Sequence, residues 1–216
     1  MRQSPGRLHL LTDDSPESLW SPLELAALAV EHGVDVLQYR DKRPLEESDR
    51  RRQIEAILTI LQGSSVRLVV NDHPALAASC GADGVHVGAK DATPTEARSL
   101  VGPDRCVGAT ANDLERAIAL CAEPIDYLGV GPAFGTRSKA HPAPTLGPAG
   151  IREIVRAVDR PVIAIGSIGA ENCESVLNCG VWGVAVLSAV SRTSAPTLEL
   201  KALRQTIDQL RRAEVN

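Results

Sequence analysis

Two short runs, Val69-Val70-Asn71-Asp72 and Gly84-Val85-His86-Val87-Gly88-Ala89-Lys90-Asp91, carry the residues best suited to chemistry. Each is built of β-branched and small apolar residues and stops at an acid, as a buried parallel strand does where it emerges into a loop. Side by side at about 4.8 Å, two such strands bring the Asp72 and Asp91 carboxylates to one rim, where they can share a hard cation. Mg²⁺ suits that pair, because it takes one or two carboxylates and fills its remaining positions with water and substrate phosphate oxygens. The pair points to a phosphorylated ligand. Singly, Asp72 is as well suited to N-cap a helix starting near Pro74, and Asp91 to sit in a turn. Only their coincidence carries the reading.

A third run supplies cations. Alternate side chains of a strand share a face, so Val34 and Val36 lead into Gln38, Arg40 and Lys42. An amide, a guanidinium fork and an ammonium spaced by two can grip one polyanion; the rival reading has Arg40 and Lys42 solvating a loop and pairing with Asp41. Further on, Gly131-Pro132-Ala133-Phe134-Gly135-Thr136-Arg137-Ser138-Lys139 puts two hydroxyls and two cations in one loop, a second anion contact. Gly166-Ser167-Ile168 and Leu187-Ser188 end two later runs, where backbone N–H groups and a helix start commonly bind phosphate. Tight strand–helix packing would also require Gly166. His9 and His86 stand among apolar residues and are expected to be satisfied core residues, with His86 a candidate for shaping the ligand. There is no Ser-His-Asp set and no P-loop.

These residues need a frame to hold them. From Leu8 onward, strand-like and helix-like segments alternate about every 25 residues, the signal for successive βα units. Strands are predicted at 7–12, 34–40, 66–71, 84–88, 105–110, 126–131, 161–166 and 183–188. Ser21-Pro22-Leu23-Glu24 and Thr93-Pro94-Thr95-Glu96 read as capping boxes with proline at the first helical position. Helices are expected to stop at Gly33, Gly63, Gly81, Gly102 and Gly180. Eight parallel strands with helices between them predict an α/β fold, a single-domain (β/α)8 TIM barrel over residues 1–216, with 1–6 as an N-terminal extension and 191–216 as a C-terminal helix. Only 134–147 is long enough to form a lid over ligand.

Composition narrows the partners. The 216 residues carry a net charge of −4 with acids and bases interspersed, so neither nucleic acid nor a membrane is expected and small-molecule substrates are. Cys80, Cys106, Cys121, Cys173 and Cys179 are odd in number and lack metal-site spacing, which predicts reduced, buried thiols. With no secretory signal and no apolar run of about 20 residues, a cytoplasmic protein is expected. Apolar residues around Trp182 and Leu187 are candidates for a homodimer contact. Trp182 itself stands where a small polar residue is expected before the last strand.

The motifs Gln38-Tyr39-Arg40-Asp41-Lys42, Val70-Asn71-Asp72, Gly81-Ala82-Asp83-Gly84-Val85-His86-Val87-Gly88, Asp91, Tyr127-Leu128-Gly129-Val130-Gly131-Pro132 and Thr136-Arg137-Ser138-Lys139 occur in the order found in thiamine phosphate synthases. The resemblance runs from about Leu8 to Val190. It implies an Mg²⁺-dependent transferase that joins hydroxymethylpyrimidine diphosphate to thiazole phosphate, or its carboxylate form, and releases diphosphate. It further implies one Mg²⁺ per active site on Asp72 and Asp91, and a pyrimidine diphosphate subsite of Gln38, Tyr39, Arg40, Asp41, Lys42, Asn71, Thr110 and Lys139. Thr136, Arg137, Ser138, Gly166, Ser167, Leu187 and Ser188 would hold the thiazole phosphate. Arg40, Lys42 and Lys139 would oppose the charge that builds on the departing diphosphate.

This chain departs from the family pattern at Ala89, where many relatives have Gln, at Thr110, where many have Ser, and at Ser167, where many have a second Gly. The last change puts a side chain near the proposed thiazole phosphate and is expected to weaken its binding. Related barrels offer other functions: a thiazole tautomerase, a non-catalytic thiazole-phosphate regulator, or a phosphosugar isomerase or epimerase. Tautomerases generally lack the Asn-Asp pair and the later Asp that stand here as Asn71, Asp72 and Asp91, and an isomerase would need an acid–base pair that only His86 with a carboxylate can supply.

Overall fold

The computed structural model describes residues 4–135 and 143–215. Its strands are β1 (Leu8–Leu11), β2 (Val36–Tyr39), β3 (Arg67–Asn71), β4 (Gly84–Val87), β5 (Cys106–Ala111), β6 (Tyr127–Val130), β7 (Val162–Ile165) and β8 (Gly183–Val186). They pair in parallel in chain order, and β8 returns to β1 to close the barrel. Around them run α1 (Pro22–Glu31), α2 (Glu47–Leu61), α3 (Pro74–Cys80), α4 (Pro94–Val101), α5 (Leu114–Cys121), α6 (Gly147–Ala157), α7 (Cys173–Leu177), α8 (Ser188–Ser191) and α9 (Pro196–Val215). The predicted TIM barrel and all eight predicted strands are present, β5 shifted by one residue and the others shorter at one or both ends. Half of the segment 134–147 expected to form a lid, residues 136–142, lies outside the described residues.

Local chemistry accounts for the helix boundaries. Ser21 and Thr93 each accept from the N–H three residues on, and Glu24 and Glu96 close both capping boxes. At the end of α3, Gly81 takes φ 79°, the left-handed turn that glycine adopts without a Cβ penalty.

Two apolar layers hold the barrel. Leu10, Leu37, Leu68, Val85, Leu128 and Val184 face outward into the helix shell, with Leu25, Ile54, Ile57, Leu120, Ile151 and Leu203 opposite them. Truncating any of these to alanine should cost about 2–5 kcal/mol. A smaller cluster of Leu11, Cys106, Tyr127, Ile163 and Ala185 fills the barrel itself. Trp182 and Leu187 are half-buried and pack against this inner cluster. The exposed large apolar residues are others, such as Leu19, Leu100, Ile118 and Leu198. The five cysteines are free thiols, Cys106, Cys173 and Cys179 buried and Cys80 and Cys121 half-buried.

At the amino-terminal end of the barrel one device recurs. Asp35, Asp83 and Asp126 stand immediately before β2, β4 and β6, and each carboxylate accepts a strand N–H: from Leu8 at 2.8 Å, from Leu68 at 2.8 Å and from Val107 at 2.8 Å. In return each aspartate donates its own N–H to the carbonyl of the same residue. Trp182 occupies the equivalent position before β8 and keeps the backbone half of the pairing, Trp182 N–H to Val162 O at 2.8 Å. In place of a carboxylate it presents its indole face to the Arg7 guanidinium, 4.6 Å from the ring centroid. The tryptophan is thus the fourth member of a repeat whose other three are acids.

Candidate active site

The other end of the barrel opens into a cavity with an empty volume of about 1030 Å³, open solvent at its mouth included. Inward-facing positions of the strands and the residues just after them line it: Gln38 on β2 and Arg40 just after it, Asn71 on β3, His86 on β4, Thr110 on β5 and Asn112 just after it, and Gly129 on β6 with Gly131 just after it. Gly166, Ser167, Leu187 and Ser188 close the far side.

Asp72 and Asp91 meet at the rim. Asp72 follows β3 with φ 66°, a left-handed conformation that short acids tolerate at a cost of about 1–2 kcal/mol. Its N–H is held by the His86 carbonyl at 2.8 Å. It does not cap α3, whose N-cap is His73. Its carboxyl lies within hydrogen-bonding reach of Asp91, and Lys42 Nζ forms an ion pair with it. Burial, then the hydrogen bond and charge of Asp72, push the Asp91 carboxyl above its ordinary range, opposed by the Gly88 N–H that donates to it at 2.9 Å. Two acids crowded in this way gain most from a cation, and two carboxylates leave room in its shell for water and phosphate oxygens. No group of three or more His, Cys, Asp or Glu suited to a metal ion occurs among the described residues.

On β2 the alternation behaves as read from the sequence. Gln38 and Arg40 turn into the cavity, and Arg40 is steadied by Asp14 at 3.3 Å. The same Asp14 accepts the Lys42 N–H at 2.6 Å. Tyr39 and Asp41 are corrections to the expected ligand set. Their side chains point outward and are buried, Tyr39 Oη donating to Gln53 of α2 at 3.1 Å and Asp41 taking up the Arg43 guanidinium. Alternation puts odd and even positions on opposite faces, so neither reaches the cavity while Gln38 and Arg40 do.

The far side of the cavity is shaped by main-chain turns. Gly166 has φ 115°, and a Cβ there would stand 2.6 Å from Pro132 Cα, so glycine is required by the close approach of two backbones. Ser167 has φ 48°, again left-handed. Asn172 fixes this turn by donating to the Ser167 carbonyl at 3.0 Å and accepting the Gly169 N–H at 3.0 Å. The Leu187-Ser188 turn is tied to the β1 end through Asp13, whose carboxylate accepts Ser191 Oγ at 3.0 Å and Arg192 Nε at 3.0 Å. Burial alone would raise Asp13, but the bonds from Arg192, Ser15 and Ser191 outweigh it and hold the carboxyl below its ordinary value. Thr136, Arg137, Ser138 and Lys139, singled out by sequence, lie outside the described residues.

A family model described as thiamine monophosphate synthase matches residues 8–190. The chain belongs to that family. It is 39% identical over 208 residues to a thiamine-phosphate synthase of Salinibacter ruber, covering 95% of this chain and 90% of that protein. A thiamine-phosphate synthase of Methanoculleus marisnigri is 38% identical over 200 residues, 93% of this chain and 94% of the other. Among solved structures, a thiamine phosphate pyrophosphorylase from Pyrococcus furiosus superposes with a TM-score of 0.84 at 28% identity, covering 94% of this chain and 96% of that one.

Within the family frame, the structure adds residues that sequence reasoning passed over. Asp14 lies three residues after β1, behind Thr12 and Asp13, so an acid-after-strand criterion leads to its neighbour Asp13 first. Asn112 lines the cavity and donates to the Gly131 carbonyl at 2.5 Å. Asn172 and Tyr127 carry no local signal, since each acts on a segment distant in sequence.

Proposed function

We propose that this protein is a thiamine phosphate synthase, an Mg²⁺-dependent transferase that couples hydroxymethylpyrimidine diphosphate to thiazole phosphate and releases diphosphate. One observation carries the reading: Asp72 and Asp91 come together beside Lys42, on the rim of a cavity lined by Gln38, Arg40, Asn71 and Thr110, in a chain of this family. Asp72 and Asp91 would hold one Mg²⁺, which when bound neutralises charge on the leaving diphosphate. Arg40, oriented by Asp14, and Lys42, already at the rim, add their charges to the same oxygens. Gln38, Asn71 and Thr110 orient the pyrimidine diphosphate. The main-chain turns at Gly166-Ser167 and Leu187-Ser188 receive the thiazole phosphate. The roles of Thr136, Arg137, Ser138 and Lys139 rest on the family motif.

The reaction is dissociative in this proposal. The methylene–oxygen bond breaks with both electrons leaving on diphosphate, the aminopyrimidine delocalises the positive charge, and the thiazole nitrogen lone pair forms the new carbon–nitrogen bond. No protein nucleophile is required. Five free thiols suit a reducing compartment, and the enzyme is assigned to the cytoplasm.

Purified protein incubated with both substrates should yield thiamine phosphate and diphosphate only when Mg²⁺ is present. Ligand binding without turnover, or turnover unaffected by chelation, would defeat the reading.

A further inference from the structure

At the inner end of the cavity lies a hydrogen-bonded line of Tyr127, His86 and Thr110, of which the proposed reaction uses only Thr110. Tyr127 Oη stands 3.0 Å from His86 Nδ1, and His86 Nε2 stands 2.9 Å from Thr110 Oγ1. Two glycines make the line possible. In the barrel register Gly108 lies between His86 and Tyr127, and a Cβ on it would fall 2.1 Å from Tyr127 Cζ. Gly129 is the register partner of Thr110, and a Cβ there would stand 2.8 Å from His86 Cε1. A side chain at either position would displace an aromatic ring, so the space is reserved for this pair.

The proton order along the line follows from burial. Tyr127 is 1% exposed, and its hydroxyl has His86 Nδ1 as its hydrogen-bond partner among the described residues. A buried phenol that fails to donate strands its proton, at greater cost than leaving a spare lone pair. Thr110, by contrast, is only half-buried where it lines the cavity and has ligand or water available to it. Tyr127 therefore donates to His86 Nδ1, which leaves the imidazole proton on Nε2. Nε2–H in turn donates to Thr110 Oγ1, and the threonine proton is left to point into the cavity.

We infer that Tyr127 and His86 are positioning residues that set the polarity of the Thr110 hydroxyl, making it a donor toward an acceptor atom of the bound ligand, a ring nitrogen or a phosphate oxygen. Resting on the reading above, that ligand is the pyrimidine diphosphate. A molecule presenting an N–H at the same place is disfavoured, because two donors would face each other.

The relay itself can be tested without substrate. In uniformly ¹⁵N-labelled, ligand-free protein, long-range proton–nitrogen correlation should show His86 protonated at Nε2 and bare at Nδ1, with His86→Asn assigning the signal. Tyr127→Phe keeps the ring and should redistribute that proton toward Nδ1. In the coupling assay Tyr127→Phe should raise KM for the pyrimidine substrate about tenfold, leave KM for the thiazole substrate unchanged and leave thermal stability within a few degrees. Thr110→Val should match it, whereas Thr110→Ser should behave as wild type. A wild-type His86 protonated at Nδ1, or a Tyr127→Phe protein with unchanged tautomer and unchanged KM, would overturn the inference. Absence of coupling activity in the wild type would sink the functional reading instead, while the tautomer measurement still decided the relay.

Discussion

Both ends of this barrel carry aspartates at strand termini, and the two sets are held in opposite ways. At the amino-terminal end Asp35, Asp83 and Asp126 each accept a strand N–H at 2.8 Å, and Arg204 and Arg98 cover Asp35 and Asp126 as well. At the mouth Asp72 and Asp91 face each other, and Asp91 is pushed up for that reason as well as by burial. Among the described residues the non-glycine positions with positive φ, Asp72 and Ser167, are both at the mouth. One end spends its carboxylates on fold stability and the other holds strain and like charge, the arrangement expected where a ligand completes the site.

The comparison breaks most visibly at Asp72. Asp72→Ala should cut coupling turnover by about 10²-fold or more while leaving the melting temperature within a few degrees of wild type, because relief of the like-charge contact with Asp91 offsets the lost Lys42 pair and the left-handed backbone is kept. A large loss of stability with retained kcat would erase the distinction drawn here. At the opposite end, Asp126→Ala should do the reverse. Removing it strands the Val107 N–H and takes the carboxylate partner from the mostly buried Arg98, at a cost of about 2–4 kcal/mol by denaturant unfolding, with kcat per folded molecule unchanged.

Titration separates the two ends by sign. Burial raises Asp35, but bonds from the Leu8 and Arg7 N–H groups and the nearby Arg204 hold it below its ordinary value. Its stabilisation is therefore present above the unfolded value of about 3.9 and is lost as pH falls through the lower folded value. Asp91 is raised, so its contribution is greatest below about 3.9 and is lost as pH rises through the folded value. Melting curves of Asp35→Asn and Asp91→Asn should accordingly diverge from wild type in opposite directions. The Asp35 variant should lose its deficit toward acid pH, and the Asp91 variant should gain on wild type as pH rises above about 4. Parallel profiles would refute the assignment.

The smallest effect is expected at Ser167. Ser167→Gly should relieve the left-handed backbone and, after the extra freedom of the unfolded glycine, stabilise by about 0.5 kcal/mol. KM for thiazole phosphate should fall modestly if the serine side chain crowds that turn, and an unchanged KM would show that the main chain alone receives the phosphate.

Much of the site was legible because barrel strands expose their ends by a simple rule. Alternation along β2 separates Gln38 and Arg40 from Tyr39 and Asp41, although the family motif on its own groups all five residues from Gln38 to Lys42. Trp182 made no sense in the linear sequence. It became intelligible only beside Asp35, Asp83 and Asp126, as the odd member of a repeat closed by hydrogen bonds between neighbouring strands.

By itself, the sequence determined the eight-strand frame, its helix caps and the acids and cations bound for the mouth, because period, capping and strand-end chemistry are local. The tertiary structure alone decided that Asp72 and Asp91 touch, that Asp14 steadies Arg40, and that Tyr127 reaches His86 across Gly108. Those contacts depend on register and barrel closure, which bring together groups distant in the chain, and on space left by a missing side chain.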